Sequence, residues 1–150
     1  MNIDDRMKLY EKAYNIVMPT RLPIIIRIDG KAFHTLTRGA NKPFDENVIS
    51  AMDKASEAIL KEVQGAVLVF TQSDEINVLV RNDFTMMYSP WFDNKIQKIA
   101  SITASVAAVN FSLAYGKTGY FDSRVFVLPN DDEVINYFIW RQQDWTRNSV

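Results

Sequence analysis

Ile24, Ile25 and Ile26 stand in a row between Pro23 and the pair Asp29-Gly30. Three consecutive β-branched residues lose little in an extended chain and much in a helix. With no polar residue alternating among them, both faces of this strand must be covered. Leu22 to Ile28 therefore reads as a central strand, and whatever lies at its end is fixed in place by the sheet. What lies there is Asp29.

The remaining signals order themselves around that strand. Residues 4–17 carry Met7, Leu9, Tyr10, Ala13, Tyr14 and Val17 at helical spacing. Residues 31–44 look irregular, with Gly39, Asn41 and Pro43. Asp45 is a capping residue for a helix to about Val63. Its apolar stripe is Val48, Ile49, Met52, Ala55, Ile59, Leu60 and Val63. Gly65 stops that helix. Ala66 to Phe70 and Ile76 to Arg81 read as two strands joined by the polar stretch Thr71 to Glu75, a hairpin. Asn82 to Asp93 is a loop. Asn94 to Tyr115 is helical again, with Ile96, Ile99, Ile102, Val106, Val109 and Leu113 facing one way and many small residues between them. Gly116 and Gly119 end it. Arg124 to Leu128 is a fourth strand, and a last helix runs from Asp132 or Glu133 to about Arg147. Strand–helix–strand–strand–helix–strand is the split βαβ order. The expected fold is α+β and ferredoxin-like: a four-stranded antiparallel sheet, helices on one face, and the terminal helices packed around it. No linker or repeat divides residues 1–150, so one domain is expected.

In that topology the first and third strands are antiparallel neighbours. The end of the first then lies beside the start of the third. Asp29 is thereby brought to Asp74 and Glu75, although the chain separates them widely. Carboxylates at close range repel unless a cation lies between them. Composition narrows the cation. There is no cysteine and His34 is the single histidine, which excludes thiolate and His-rich metal sites. A hard ion held by oxygen, such as Mg²⁺, remains. With 17 basic and 18 acidic residues the chain shows no basic excess, so nucleic-acid affinity would have to be local or metal-mediated. Lys95 and Lys98, one turn apart at a helix start, suggest a phosphate seat beside the metals. No apolar run suggests a leader or a membrane span, and a cytoplasmic protein is expected.

Several spaced motifs resemble those of the tRNA(His) guanylyltransferase family and its 3′–5′ RNA polymerase relatives. Arg27-Ile28-Asp29-Gly30-Lys31-Ala32-Phe33-His34 is similar to the first family signature. Lys42-Pro43-Phe44-Asp45 follows it as in the family, and Gln72-Ser73-Asp74-Glu75 resembles the second carboxylate motif. Phe121-Asp122-Ser123-Arg124-Val125 and Trp140-Arg141-Gln142-Gln143-Asp144 resemble further blocks, in the family's order. Trp145-Thr146-Arg147-Asn148-Ser149 looks more like the bacterial and archaeal relatives than the eukaryotic ones. The resemblance implies a catalytic palm over residues 1–150, without the family's C-terminal extension.

It also implies roles. Asp29 and Asp74 would bridge two Mg²⁺ ions, with the Gly30 carbonyl on one of them and Glu75 supporting catalysis. Asp29, Gly30, Lys31, Ala32, Phe33 and His34, with Lys42, Asp45, Ser73 and Asp74, would hold the nucleotide. Lys95 and Lys98 would hold its triphosphate. The implied partners are GTP, ATP and the 5′ end of a tRNA, to which a nucleotide is added, and the implied assembly is a homotetramer. Two other readings suit the same residues. One is a nucleotide-binding, cyclase-like palm module. The other is a non-catalytic RNA-binding or oligomerisation domain with exposed aromatics such as Trp91, Phe92, Trp140 and Trp145.

Overall fold

A computed structural model describes residues 1–40, 45–83 and 89–148. Helix α1 covers Ile3–Lys12, strand β1 Ile24–Lys31, and the single turn α2 Phe33–Leu36. Helix α3 is Glu46–Glu62, strand β2 Ala66–Gln72 and strand β3 Glu75–Val80. A 3-10 turn at Trp91–Asn94 leads into helix α4, Ile96–Tyr115. Strand β4, Tyr120–Val127, and helix α5, Asp131–Asn148, complete the order. The sheet order is β2-β3-β1-β4, with every neighbouring pair antiparallel. This is the expected α+β, ferredoxin-like arrangement, and β1 and β3 are its central strands.

Alternation along the strands sorts two faces. On one, Ile24, Ile26, Ile28, Ile76, Val78 and Val125 are buried beneath α3 and α4. From α3 come Ala51, Met52, Ala55 and Ile59. Asp45 caps that helix as its sequence predicts, its carboxylate accepting from the backbone N–H groups of Asn47 and Val48. From α4 the buried set is Ile99, Thr103, Ala107 and Phe111. The expected α4 stripe is therefore rotated. Val109 and Leu113 face solvent at 57% and 80% exposure. The small Thr103 and Ala107 take the inward positions because they let the helix axis approach the sheet. The Thr103 hydroxyl stays satisfied there, bonded to the Ile99 carbonyl and to the Ser123 hydroxyl. By length and composition α4 alone among the described helices would suit a bilayer, and its buried stripe of Ile99, Thr103, Ala107 and Phe111 packs in this core.

On the other face lie Ile25, Arg27, Asp29, Glu75 and Asn77, which α5 covers through Tyr137 and Arg141. The C-terminal helix is thus the flanking helix expected around the sheet, and it takes the face opposite α3 and α4. Helix α1 departs from expectation. It ends at Lys12 and has no buried residue, so it does not pack around the sheet. Its apolar spacing makes it helical, but among the described residues none of α1 is buried against a neighbour.

Phe111 is fully buried and its ring meets those of Phe33, Tyr115 and Phe121. Truncation to alanine removes the centre of that cluster. Phe111→Ala is expected to lower unfolding free energy by about 3–5 kcal/mol, read as a lower urea midpoint at unchanged slope.

Candidate functional site at the β1–β3 end

The hairpin and the central strand meet at one end of the sheet. Asp29 pairs across to Glu75 on β3 and to Asp122 on β4. The Gly30 N–H donates to the Asp74 carbonyl at 2.9 Å, which seats the turn Ser73–Asp74 directly beside the end of β1. Strand β1 runs on through Gly30 to Lys31, beyond the expected end at Ile28, because Gly30 and Lys31 pair with Phe121 and Tyr120. Asp29 therefore lies within the ladder, on backbone that cannot drift.

Gly30 has a packing reason to be glycine. A Cβ at that position would lie 2.4 Å from the Phe33 ring. Phe33 is buried beneath it against Phe111 and Phe121, so its side chain supports the floor of the site. Ala32, in the left-handed conformation at φ 54°, turns the chain sharply into α2. The leading N–H groups of a helix have no partner within it, and those of α2 open at the carboxylate end. Lys31 and His34 are exposed around them. Ser73, also left-handed at φ 50°, occupies the hairpin turn. Lys42 lies outside the described residues. Asp45 sits at the N-terminus of α3 with its carboxylate committed to the cap.

The three acidic groups have separate surroundings. Asp29 accepts at Oδ2 from Arg27 Nε and Arg124 Nη1, both at 3.1 Å. Asp74 is half-buried, and its pKa is raised above the ordinary 3.8. Burial is the main cause, with repulsion from Asp29 and Glu75 adding to it. Glu75 is buried and answered in full. Arg141 grips it with two prongs, Nε to Oε2 at 2.8 Å and Nη2 to Oε1 at 2.6 Å. Asn77 donates to Oε2 at 2.6 Å. Among the described residues no group of three or more His, Cys, Asp or Glu side chains is arranged to hold a metal. The converging pair is Asp29 with Asp74, and Glu75 turns to its arginine.

Lys95 and Lys98 do not join this end. Val17 bridges Lys95, and the Asn94 amide donates to the carbonyls of Met18 and Pro19, at the Ile24 end of β1. Five residues of strand, roughly 17 Å, separate Ile24 from Asp29. A phosphate seat formed by these lysines beside the carboxylates of the same chain is corrected by the topology. β3 leaves the carboxylate end, so the helix that follows it starts at the other.

Arg27, Asn77, Tyr137 and Arg141 line the site without a role predicted from the sequence, whereas Arg124 is a lesser basic candidate for phosphate that the structure places on Asp29. A signal did exist on α5. Arg141 follows Tyr137 by four and Val134 by seven positions, a charged residue on the helix's inward stripe.

Asp74 gives a test of sign. With its pKa raised in the fold, the protonated form is favoured there. Its contribution is present below the ordinary carboxylate pKa and lost as pH rises through the folded value. Asp74→Asn is therefore expected to raise the thermal midpoint at pH 7 in EDTA, and the difference from wild type should shrink near pH 3. An equal or lower midpoint for the variant at pH 7 contradicts the repulsive reading of this pair.

Comparison with known proteins gives the family. The family model for tRNAHis guanylyltransferase matches residues 4–129. A probable tRNA(His) guanylyltransferase of Drosophila melanogaster is 32% identical over 139 residues, covering 85% of this chain and 46% of that protein. A bacterial tRNA(His) guanylyltransferase-like protein solved in complex with GTP superposes with a TM-score of 0.94 at 46% identity, over 97% of this chain and 72% of that one. The same description in complex with ATP gives 0.95 at 46% identity, over 99% and 67%. This chain spans about half the length of the curated relatives it matches. The matched residues include both carboxylate motifs, and the chain belongs to the tRNAHis guanylyltransferase family.

Proposed function

We propose that this chain is a divalent-metal-dependent nucleotidyltransferase that adds a guanylate or another nucleotide to the 5′ end of a tRNA. The observation that carries this reading is the seating of Asp74 beside Asp29 at the end of the central strands, next to Gly30 and the open turn of α2. The two carboxylates offer hard oxygen donors, and the repulsion recorded at Asp74 is what a divalent cation relieves. Asp29 and Asp74, with the Gly30 carbonyl, would hold two Mg²⁺ ions, which would supply neutralisation of phosphate charge and a more acidic attacking hydroxyl.

The chain's own groups do the positioning. The backbone from Gly30 to His34 would line the nucleotide, over a floor that the Phe33 ring can fill because Gly30 has no Cβ. The first N–H groups of α2 aim at phosphate oxygens, with Lys31 beside them. Arg124, 55% exposed, lies on the solvent side of Asp29, within reach of a second phosphate. In the transfer, the 3′ hydroxyl of incoming GTP attacks the activated 5′ phosphate of the RNA. One phosphodiester forms, the bond to the activating group breaks, and the hydroxyl proton leaves to solvent. The relatives solved with GTP and with ATP support both nucleotides as ligands.

Two coarser partners complete the reading. The reaction belongs in the cytoplasm, where tRNA is the substrate. The chain works as a homo-oligomer, a tetramer by family likeness. Leu9 at 53% and Tyr10 at 64% exposure on α1 leave apolar surface for assembly. Light scattering of the purified chain should return a mass of four chains; a monomer removes assembly from this account.

Labelled GTP, Mg²⁺ and a tRNA with an activated 5′ end test the chemistry. Label should appear at the RNA 5′ end. Asp29→Ala should lower that rate on the order of 10³-fold, the loss of several kcal/mol of charge stabilisation, with its circular dichroism unchanged. A cyclic nucleotide formed without RNA would favour the cyclase-like module instead. GTP that binds with no metal dependence and no transfer would favour the non-catalytic domain.

A further inference from the structure

Arg141 reaches the hairpin at two places, and the two places flank one turn. Its guanidinium holds Glu75, the residue after the turn, in the two-pronged pair already described. Its backbone carbonyl accepts from Nε2 of Gln72, the residue before the turn, at 2.9 Å. Gln72 Nε2 also lies 3.2 Å from Glu75 Oε2, which closes the ring of contacts. Ser73 and Asp74 are the two residues enclosed. The pair is dry, with the side chains of Arg141 and Glu75 8% and 7% exposed. Arg141 is itself held from two other sides. Asp144 accepts from its Nη2 at 3.1 Å, and the Trp140 ring lies 4.4 Å beneath its guanidinium carbon.

The spacing explains why α5 can do this. Tyr137 and Arg141 are one helical turn apart, a rise of about 6 Å. Asn77 and Glu75 are two strand residues apart, about 6.6 Å. Tyr137 meets Asn77 and Arg141 meets Glu75, so the helix and strand engage rung for rung in opposite directions.

We infer that Arg141 is a positioning residue for metal capture. It fixes both flanks of the Ser73–Asp74 turn so that the Asp74 carboxylate is presented beside Asp29. The role rests on the metal reading of that pair given above. Asp74 needs such restraint because Ser73 and Asp74 lie between the strands, outside the ladder, with Ser73 in the left-handed conformation. The third restraint, the bond from Gly30 N–H to the Asp74 carbonyl, ties the turn to β1 but does not orient its flanks. The two flanks are held by separate groups of one residue, Glu75 by the guanidinium and Gln72 by the backbone carbonyl, so the side chain's own share is the fork on Glu75. Lysine keeps a charge but offers no planar fork.

Mn²⁺ serves as the probe, because its free form is read directly by electron paramagnetic resonance. Binding is titrated on the full chain with GTP present, and the thermal midpoint is measured separately. Arg141→Lys is expected to weaken Mn²⁺ binding about tenfold, as loss of a supporting contact to a ligand does. Folded Arg141→Lys that binds Mn²⁺ as wild type does, whatever its midpoint, overturns the role. Should that variant not fold, Gln72→Met decides, since it leaves the Arg141–Glu75 ion pair and removes the Gln72 bonds to the Arg141 carbonyl and to Glu75. It is expected to weaken binding about threefold, a smaller share of the same second-contact effect, and unchanged affinity overturns the role. A wild-type chain that takes up no Mn²⁺ with GTP sinks the metal reading and this role together. Wild type that binds beside variants that bind equally sinks only the role of Arg141.

Discussion

Repulsion between carboxylates gathered at one end of the sheet is the constraint around which the rest of this structure is arranged. The register of β1 against β3 sets Asp29 opposite Glu75 and next to the Asp74 turn. Three acidic groups so placed cannot all stay ionised and unanswered in a half-buried setting. The fold answers two of them internally. Asp29 receives Arg27 and Arg124, and Glu75 receives Arg141 and Asn77. Asp74 accepts from Ser73 and from the backbone of its own turn, and burial with repulsion from Asp29 and Glu75 outweighs those bonds. That imbalance sets its carboxylate apart from the two that are paired with arginines. Strained charge of this kind is retained where a ligand relieves it.

The placement of Asp29 beside Asp74 was legible because it depends on two strong signals. One is the isoleucine run that marks a central strand. The other is the order of elements, which makes the first and third strands antiparallel neighbours. The same order also placed Lys95 and Lys98, and there the motif reading conflicted with the topology. A strand that begins at the carboxylate end finishes at the other, and the next helix must start where it finishes. Helix polarity and two nearby lysines outweighed that geometry in the sequence reading, and the isolated bridge from Val17 to Lys95 shows the geometry prevailing.

Other features lay beyond the pattern for physical reasons. The strands β1 and β4 extend through Gly30, Lys31, Phe121 and Asp122 because ladder bonds are made by backbone groups. Residue type does not mark such an end. The inward stripe of α4 was displaced because Thr103 and Ala107 are buried for their size, while Val109 and Leu113 stay outside. Hydrophobicity alone ranks these four in the wrong order. For α1 the periodicity identified a helix correctly, yet a helix is fixed by its own spacing and burial by its neighbours.

Arg141 bears on where the working unit of this fold ends. The family match closes at residue 129, after the fourth strand. Within those limits the sheet is complete, yet the face that carries Glu75 would be uncovered and its carboxylate would lack the fork of Arg141. With α5 in place, truncating Arg141 alone would cost about 3–5 kcal/mol, because the remaining charge is stranded away from water. Helix α5 supplies that fork, and with it Tyr137 for Asn77 and Phe138 for Phe70. The sheet can therefore gather its acidic residues at one end only because a helix later in the chain returns across the face that carries them. Residues Asp131–Asn148 belong to the site as much as the strands do, since the charge balance that places Asp74 is completed from there.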